Sequence, residues 1–201
     1  PVDMVFDDAA YRSIVETTAA HRGVLGGVTF MIPELDAALD RLFETAAARG
    51  LDIDFHVDET QDPAAASLRA IAEAALRHRF EGRIAVGHCC SLARQAEDEA
   101  ARTIDLVAKA GITVISLPMC NVYLQDRIPG RTPRFRGVTL LKEFAAVGVN
   151  TVVASDNTRD PFYAYGDLDA VEVFREAVRI IQFDHPIERA PALVTRNPPA
   201  A

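Results

Sequence analysis

Apolar and polar residues alternate with a period of two along a short segment of this chain, residues 51–59. In this segment, LDIDFHVDE, apolar residues occupy every second position from Leu51 to Val57. Such alternation is typical of a β-strand. Four more segments are nearly all apolar, which is typical of strands covered on both faces of a sheet. These predicted strands cover residues 23–32, 83–90, 112–120 and 149–156.

Between the strands, apolar residues recur every three or four positions, which predicts helices. The predicted helices cover residues 7–21, 35–49, 64–78, 97–110, 140–147 and 168–183. Strands that alternate with helices imply a parallel α/β sheet with right-handed crossovers. Either a (β/α)8 barrel or an open doubly wound sheet fits this order. The barrel is favoured, because the chain has neither a G-x-G-x-x-G turn nor a phosphate-binding loop.

Composition narrows the class of protein. Of the 201 residues, 49% are hydrophobic and 25% are charged, as in an ordinary globular protein. The net charge of -8 argues against a nucleic-acid partner. We expect no membrane span, because no apolar run reaches the roughly 18 to 20 residues that a bilayer requires. No signal peptide is visible and three cysteines do not form a disulfide framework, so we expect a cytoplasmic protein.

Groups capable of chemistry stand where three of the predicted strands end. His56 and Glu59 close the second strand, His88 closes the third, and Asp156 closes the fifth. Imidazole binds zinc or iron, and a carboxylate can move protons. The alternative for His56 and Glu59 is a hydrogen-bonded core histidine and a helix-capping acid. Asp156 alone would suggest an Asx turn or N-cap, but the two histidines at equivalent positions favour a metal ligand.

The adjacent cysteines after His88 do not predict a metal site. Neighbouring side chains on a strand point to opposite faces, so Cys89 and Cys90 cannot both join His88 on one ion. We interpret both as buried packing residues. A different class of enzyme, a hydrolase with Cys89 as nucleophile and His88 as base, stays an alternative.

Four motifs together resemble the amidohydrolase superfamily, and most closely its cytosine deaminase-like branch. The motifs are HVDE at 56–59, GHCC at 87–90, LPMCNVYLQDR at 117–127 and SDNTRDPFY at 155–163. They occur in the family's order over most of the chain. The resemblance implies a partial (β/α)8 barrel with about strands 4 to 8 and a single domain, residues 1–201, incomplete at both ends.

The resemblance also implies a role for each matching residue. His56 would bind one divalent metal ion, zinc or iron, and Asp156 would bind it and act as a base toward water. Glu59 would carry protons, and His88 would orient or polarise the water. The implied substrate contacts are Gln125, Asn157 and Phe162. The expected reaction is the deamination of a cytosine-like or related nitrogen heterocycle, a small-molecule substrate.

Two departures from the family pattern limit this expectation. The H-x-H pair that supplies two metal ligands in the family is absent from the chain. Asn157 stands where cytosine deaminases usually have a second Asp. An inactive barrel fragment and a ring-opening cyclic amidohydrolase are therefore alternatives. Because a partial barrel leaves strand edges unpaired, we expect a homo-oligomer.

Overall fold

The five predicted strands form one parallel sheet in the computed structural model, which describes residues 1–198. The strands are β1 (Leu25–Val28), β2 (Ile53–Val57), β3 (Ile84–His88), β4 (Thr113–Ser116) and β5 (Thr151–Val153). Each is shorter than the apolar segment that predicted it. Their order in the sheet is β1-β2-β3-β4-β5, and every neighbouring pair is parallel.

Seven α-helices connect and flank these strands within residues 1–198. They are α1 (Asp8–Ala20), α2 (Leu35–Arg49), α3 (Ser67–His78), α4 (Glu97–Lys109), α5 (Pro118–Leu124), α6 (Leu141–Ala146) and α7 (Ala170–Ile181). Short 3-10 helices cover Val2–Phe6, Cys90–Arg94 and Ile187–Val194. In this part of the chain, none of the helices has the length and apolar character needed to cross a membrane.

The strand order decides between the two architectures that the sequence left open. A doubly wound sheet reverses its strand order partway, and its helices cover both faces. Here the spatial order follows the chain without reversal, and α2, α3 and α4 pack side by side. This is the arrangement of consecutive strands in a (β/α)8 barrel. The prediction of a partial barrel is confirmed.

The two faces of the sheet differ in burial, contrary to the expectation that both would be covered. Residues such as Phe55 and Val86 point to the helical layer and are 1% and 0% exposed. Their strand neighbours on the opposite face, Asp54 and Gly87, are exposed and half-buried. This second face corresponds to the inside of a barrel. It carries small and polar residues on β2 and β3, whereas β4 contributes the half-buried Ile115. The small side chains leave room for a cavity.

The core between the sheet and the helices is built around Phe43 of α2. Its ring centroid lies 6.1 Å from that of Phe55 on β2 and 5.3 Å from that of Phe80. Helix α2 ends as predicted, because Gly50 adopts a left-handed φ of 62° that closes the last turn. The predicted bounds of this helix are confirmed.

Helix α3 begins later than the sequence suggested, at Ser67 instead of residue 64. The carboxylate of Asp58 accepts hydrogen bonds from the backbone N–H of Ser67 at 3.2 Å and of Leu68 at 3.0 Å. The Ser67 hydroxyl also donates to Asp58. Asp58 therefore caps α3 from the end of β2, and the helix can begin only where its N–H groups reach that carboxylate.

Helix α5 replaces the end of the strand predicted over residues 112–120 and continues into a stretch for which no helix or strand was predicted. Strand β4 stops at Ser116, four residues earlier than expected. Pro118 then stands in the first turn of α5, where its missing N–H costs nothing. This proline was the signal in the sequence that could have located the helix.

Candidate active site

Three strands end in residues with a left-handed backbone conformation, which is uncommon for residues other than glycine. The φ angles are 47° at Asp58, 71° at His88 and 63° at Asp156. Such conformations cost free energy, and in folded proteins they concentrate at functional sites. Here they lie at the carboxyl ends of β2, β3 and β5, the rim where (β/α)8 barrels carry their active sites.

His56, Glu59 and His88 form a cluster at this rim. The two carboxylate oxygens of Glu59 face one histidine each: Oε2 lies 3.2 Å from His56 Nε2, and Oε1 lies 3.4 Å from His88 Nδ1. The imidazole rings lie against each other with centroids 4.0 Å apart. The prediction placed these three residues on neighbouring strand ends, and the structure brings them into direct contact.

Asn121 joins this cluster, although the sequence did not single it out. Its side-chain nitrogen lies 2.8 Å from Glu59 Oε1 and 2.9 Å from His88 Nδ1. The residue is completely buried and belongs to α5. It lies in the LPMCNVYLQDR motif but was given no role, because a strand predicted over residues 112–120 gives no reason to expect position 121 at the strand ends.

Burial and mutual contact set the protonation of the cluster. Burial alone would raise the pKa of Glu59, but the hydrogen bond with His56 and the interaction with His88 bring its pKa below the ordinary value. Burial lowers the pKa of His88 to about 4, although the charge of Glu59 opposes this shift. At neutral pH the cluster therefore contains a carboxylate beside a neutral His88.

Asp156 lies on the same cavity as the two histidines but outside their contact cluster. The cavity has a volume of about 540 Å³ and is lined by His56, His88 and Asp156 together with inner-face residues. Burial, followed by the negative charge of Glu59, raises the pKa of Asp156. Beneath it, the Cys120 thiol donates to the carbonyls of Ser155 and Asn157, at 3.3 and 3.4 Å, on either side of Asp156.

The three predicted substrate contacts do not line the cavity of about 540 Å³. Gln125 is buried and borders a smaller cavity that it shares with Glu59. Asn157 donates to Asp160, which fixes the loop after β5. Phe162 is 63% exposed. Contact with a substrate stays a prediction for all three residues.

The environment of the cysteines argues against the alternative of a cysteine nucleophile. Cys89 is 1% exposed, and burial raises the pKa of its thiol well above the ordinary value. A nucleophilic cysteine requires the opposite, a lowered pKa and access to solvent. The interpretation of Cys89 as a packing residue agrees with this environment.

The donor set of the cluster suits a transition metal ion. Among residues 1–198, the ligand atoms of His56, Glu59 and His88 all lie within 4.8 Å of one another. Two imidazoles and a carboxylate are typical ligands of zinc or iron. Donors of the kind that a divalent cation prefers are therefore present at this rim, and Asp156 adds a carboxylate on the same cavity.

A sequence model of the amidohydrolase family matches residues 3–201. The chain is 63% identical to a pterin deaminase of Rhizobium rhizogenes strain K84 over an alignment of 198 residues. This alignment covers 98% of the chain and 45% of the deaminase. The chain is 25% identical to N-isopropylammelide isopropyl amidohydrolase of Pseudomonas sp. strain ADP over 74% of the chain and 34% of that protein. The chain thus spans less than half the length of either relative.

Solved structures show the same fold. A 5-methylcytosine deaminase from Klebsiella pneumoniae, liganded with 5-fluorocytosine, superposes with a TM-score of 0.83 at 24% identity, over 92% of this chain and 46% of that chain. An N-isopropylammelide isopropylaminohydrolase from Burkholderia multivorans gives a TM-score of 0.74 at 24% identity, over 92% and 45% of the two chains. At these identities the similarity concerns the fold.

Proposed function

Because this chain belongs to the amidohydrolase family, we propose that it is part of a metal-dependent hydrolase that deaminates a nitrogen heterocycle of the pterin kind. The observation that carries the proposal is the contact cluster of His56, Glu59 and His88 on a cavity that Asp156 also lines. The 63% identity to a pterin deaminase supports the choice among heterocycles.

We propose that His56 and Asp156 hold a divalent cation, zinc or iron, together with ligands from outside this chain. Such a cation, when bound, lowers the pKa of water toward neutrality and supplies a nucleophile for hydrolysis. The raised pKa of Asp156 supports this role, because a half-buried carboxylate near the negative charge of Glu59 is costly unless a cation compensates it.

Glu59 is proposed to carry the proton that deamination must move. In the net reaction, a water oxygen bonds to the ring carbon that bears the amino group, and the carbon–nitrogen bond breaks. One proton of the water goes to the amino nitrogen, which leaves as ammonia, and the other goes to the adjacent ring nitrogen, so that the ring keeps an oxo group. Glu59 is suited to this transfer, because its lowered pKa keeps it ionised and ready to accept a proton.

The volume of the cavity supports a small-molecule substrate. This volume of about 540 Å³ lies within the range of roughly 300–1,000 Å³ that is usual for small-molecule sites. Gln125, Asn157 and Phe162 are proposed to approach the substrate from loops at the same rim. A homo-oligomeric assembly and a cytoplasmic location belong to the same proposal.

The test uses the full-length protein that contains this chain, with Glu59→Gln and Asp156→Asn compared by elemental analysis and by ammonia release from pterin and 5-methylcytosine. Glu59→Gln should lower turnover by roughly 10² to 10⁴-fold, the usual contribution of acid–base catalysis, with metal content unchanged. Asp156→Asn should lower both turnover and metal content, because it weakens a ligand of the ion.

Matched controls are Glu81→Gln, which changes an exposed carboxylate just before β3, and Asp105→Asn, which changes one on α4. Both should keep the turnover and the metal content of the unmodified protein. Full activity in Glu59→Gln, or unchanged metal content and activity in Asp156→Asn, would show that the roles are wrongly assigned.

A further inference from the structure

Asn121 occupies a position from which it can fix the protonation of the cluster. Its amide group is completely buried, and one end of that amide lies within hydrogen-bond distance of both Glu59 and His88. The other end, Oδ1, is buried without a hydrogen-bond partner. The orientation of the amide therefore decides which hydrogen bonds the cluster contains.

Glu59 decides this orientation. The amide atom that lies 2.8 Å from Glu59 Oε1 must be the nitrogen, because an amide oxygen at that distance would face an ionised carboxylate oxygen without a proton between them. In the observed orientation Asn121 Oδ1 has no hydrogen-bond partner. In the flipped orientation Oδ1 would face the carboxylate oxygen of Glu59 and be repelled by it, which costs more.

The amide orientation then decides the tautomer of His88. The same amide nitrogen lies 2.9 Å from His88 Nδ1, and a nitrogen that carries hydrogens can only donate. Nδ1 must therefore be the unprotonated acceptor. In a neutral imidazole the proton is then on the other ring nitrogen, Nε2.

We propose that Asn121 is a positioning residue that holds His88 in the Nε2-protonated tautomer, so that His88 serves the site as a hydrogen-bond donor and not as a base. His88 lines the cavity, and its Nε2–H is free to donate to an oxygen of water or substrate held there. Removal of protons is left to the carboxylates. The consequence for catalysis rests on the proposed function, whereas the tautomer itself does not.

The direct test is ¹⁵N NMR of histidine-labelled full-length protein, with the His88 signals assigned by their absence from a His88→Gln variant. The unmodified protein should show the shift pattern of an Nε2–H imidazole. In Asn121→Asp, a carboxylate of the same shape accepts instead of donating, so His88 should change to the Nδ1–H tautomer. Asn150→Asp is the control, because Asn150 is exposed and bonds to Thr113 and Asn197, away from the cluster.

Kinetics and metal content give an independent measurement. Asn121→Asp should lower turnover by about 10- to 100-fold, the usual effect of a group that orients a site residue, with metal content unchanged. If Asn121→Asp does not fold, Asn121→Ala replaces it: Glu59 Oε1, 3.4 Å from Nδ1, then becomes the nearest acceptor and should favour Nδ1–H.

An Nδ1–H signal in the unmodified protein would overturn the inference, as would an unchanged tautomer in a folded Asn121 variant. Failure of the proposed function has a different signature, namely no ammonia release by the unmodified protein. The NMR experiment still gives a decisive result in that case.

Discussion

In the HVDE segment, Asp58 has a structural role as the cap of α3, whereas its neighbour Glu59 belongs to the candidate active site, and a substitution of Asp58 tests this difference. Its carboxylate accepts from the backbone of Ser67 and Leu68 and from the Ser67 hydroxyl, and the residue is 6% exposed. The side chain adjoins Glu59 in sequence, yet its contacts are with the first turn of α3. We therefore expect Asp58→Asn to reduce stability.

The magnitude follows from the hydrogen bonds that an amide cannot make. Asparagine tolerates the left-handed φ of 47° at position 58 about as well as aspartate, so the backbone strain is unchanged. Its oxygen can replace Oδ1 toward Ser67, but its NH2 then faces the N–H of Leu68. The buried N–H of Leu68 loses its acceptor, and the new buried NH2 group of the asparagine has none, at about 1–3 kcal/mol for each unsatisfied group. A neutral amide avoids the cost of burying a charge, which is the cost that raises the pKa of Asp58, and this offsets part of the loss. We therefore expect a net loss of about 3 kcal/mol in the free energy of unfolding.

The assay is urea unfolding followed by circular dichroism, with amide hydrogen exchange at Ser67 and Leu68 as a local measure. Asp62→Asn is the matched control in the same loop. Asp62 is exposed, and its Oδ1 accepts from Ala64 N–H at 2.9 Å, a bond that an amide oxygen can keep. The control should cost less than about 0.5 kcal/mol, as expected for an exposed substitution. A loss below about 1 kcal/mol in Asp58→Asn, or equal losses in both variants, would refute the capping argument.

Two further predictions concern pH and association. The hydrogen bond from His78, followed by that from Arg77, lowers the pKa of Asp40 below 3.8, so this contact stabilises the fold above that value and is lost as the pH falls through the lower folded-state pKa. Because Asp40 is 39% exposed, Asp40→Asn should reduce stability by less than about 1 kcal/mol near pH 6. At a pH below the folded-state pKa of Asp40 the carboxyl is protonated, and the substitution should have no effect. Urea unfolding near pH 6 and at that lower pH measures the difference. The 201-residue chain produced alone should self-associate in light scattering, because β1 and β5 are sheet edges within residues 1–198 and Phe30 and Met31 beyond β1 are 52% and 54% exposed. A monodisperse monomer would contradict this expectation.

The sequence by itself determined the alternation of strands and helices and the chemistry at the strand ends. Period-two and period-3.6 patterns report on neighbours within one element, so α2 was predicted with its observed bounds. Because the carboxyl ends of parallel strands share one edge, His56 and His88 could be assigned to one site before any distance was known.

Only the tertiary structure decided which face of the sheet is covered, how Asp58 is used and which residue completes the cluster. Asn121 is 62 positions from Glu59 and 33 from His88, and no periodicity relates residues so far apart. Their contact depends on where β4 stops and on the direction in which α5 leaves it. Likewise, Asp58 and Glu59 are adjacent carboxylates in sequence. One caps a helix and the other contacts two histidines, because the left-handed backbone at the strand end directs them to different surroundings.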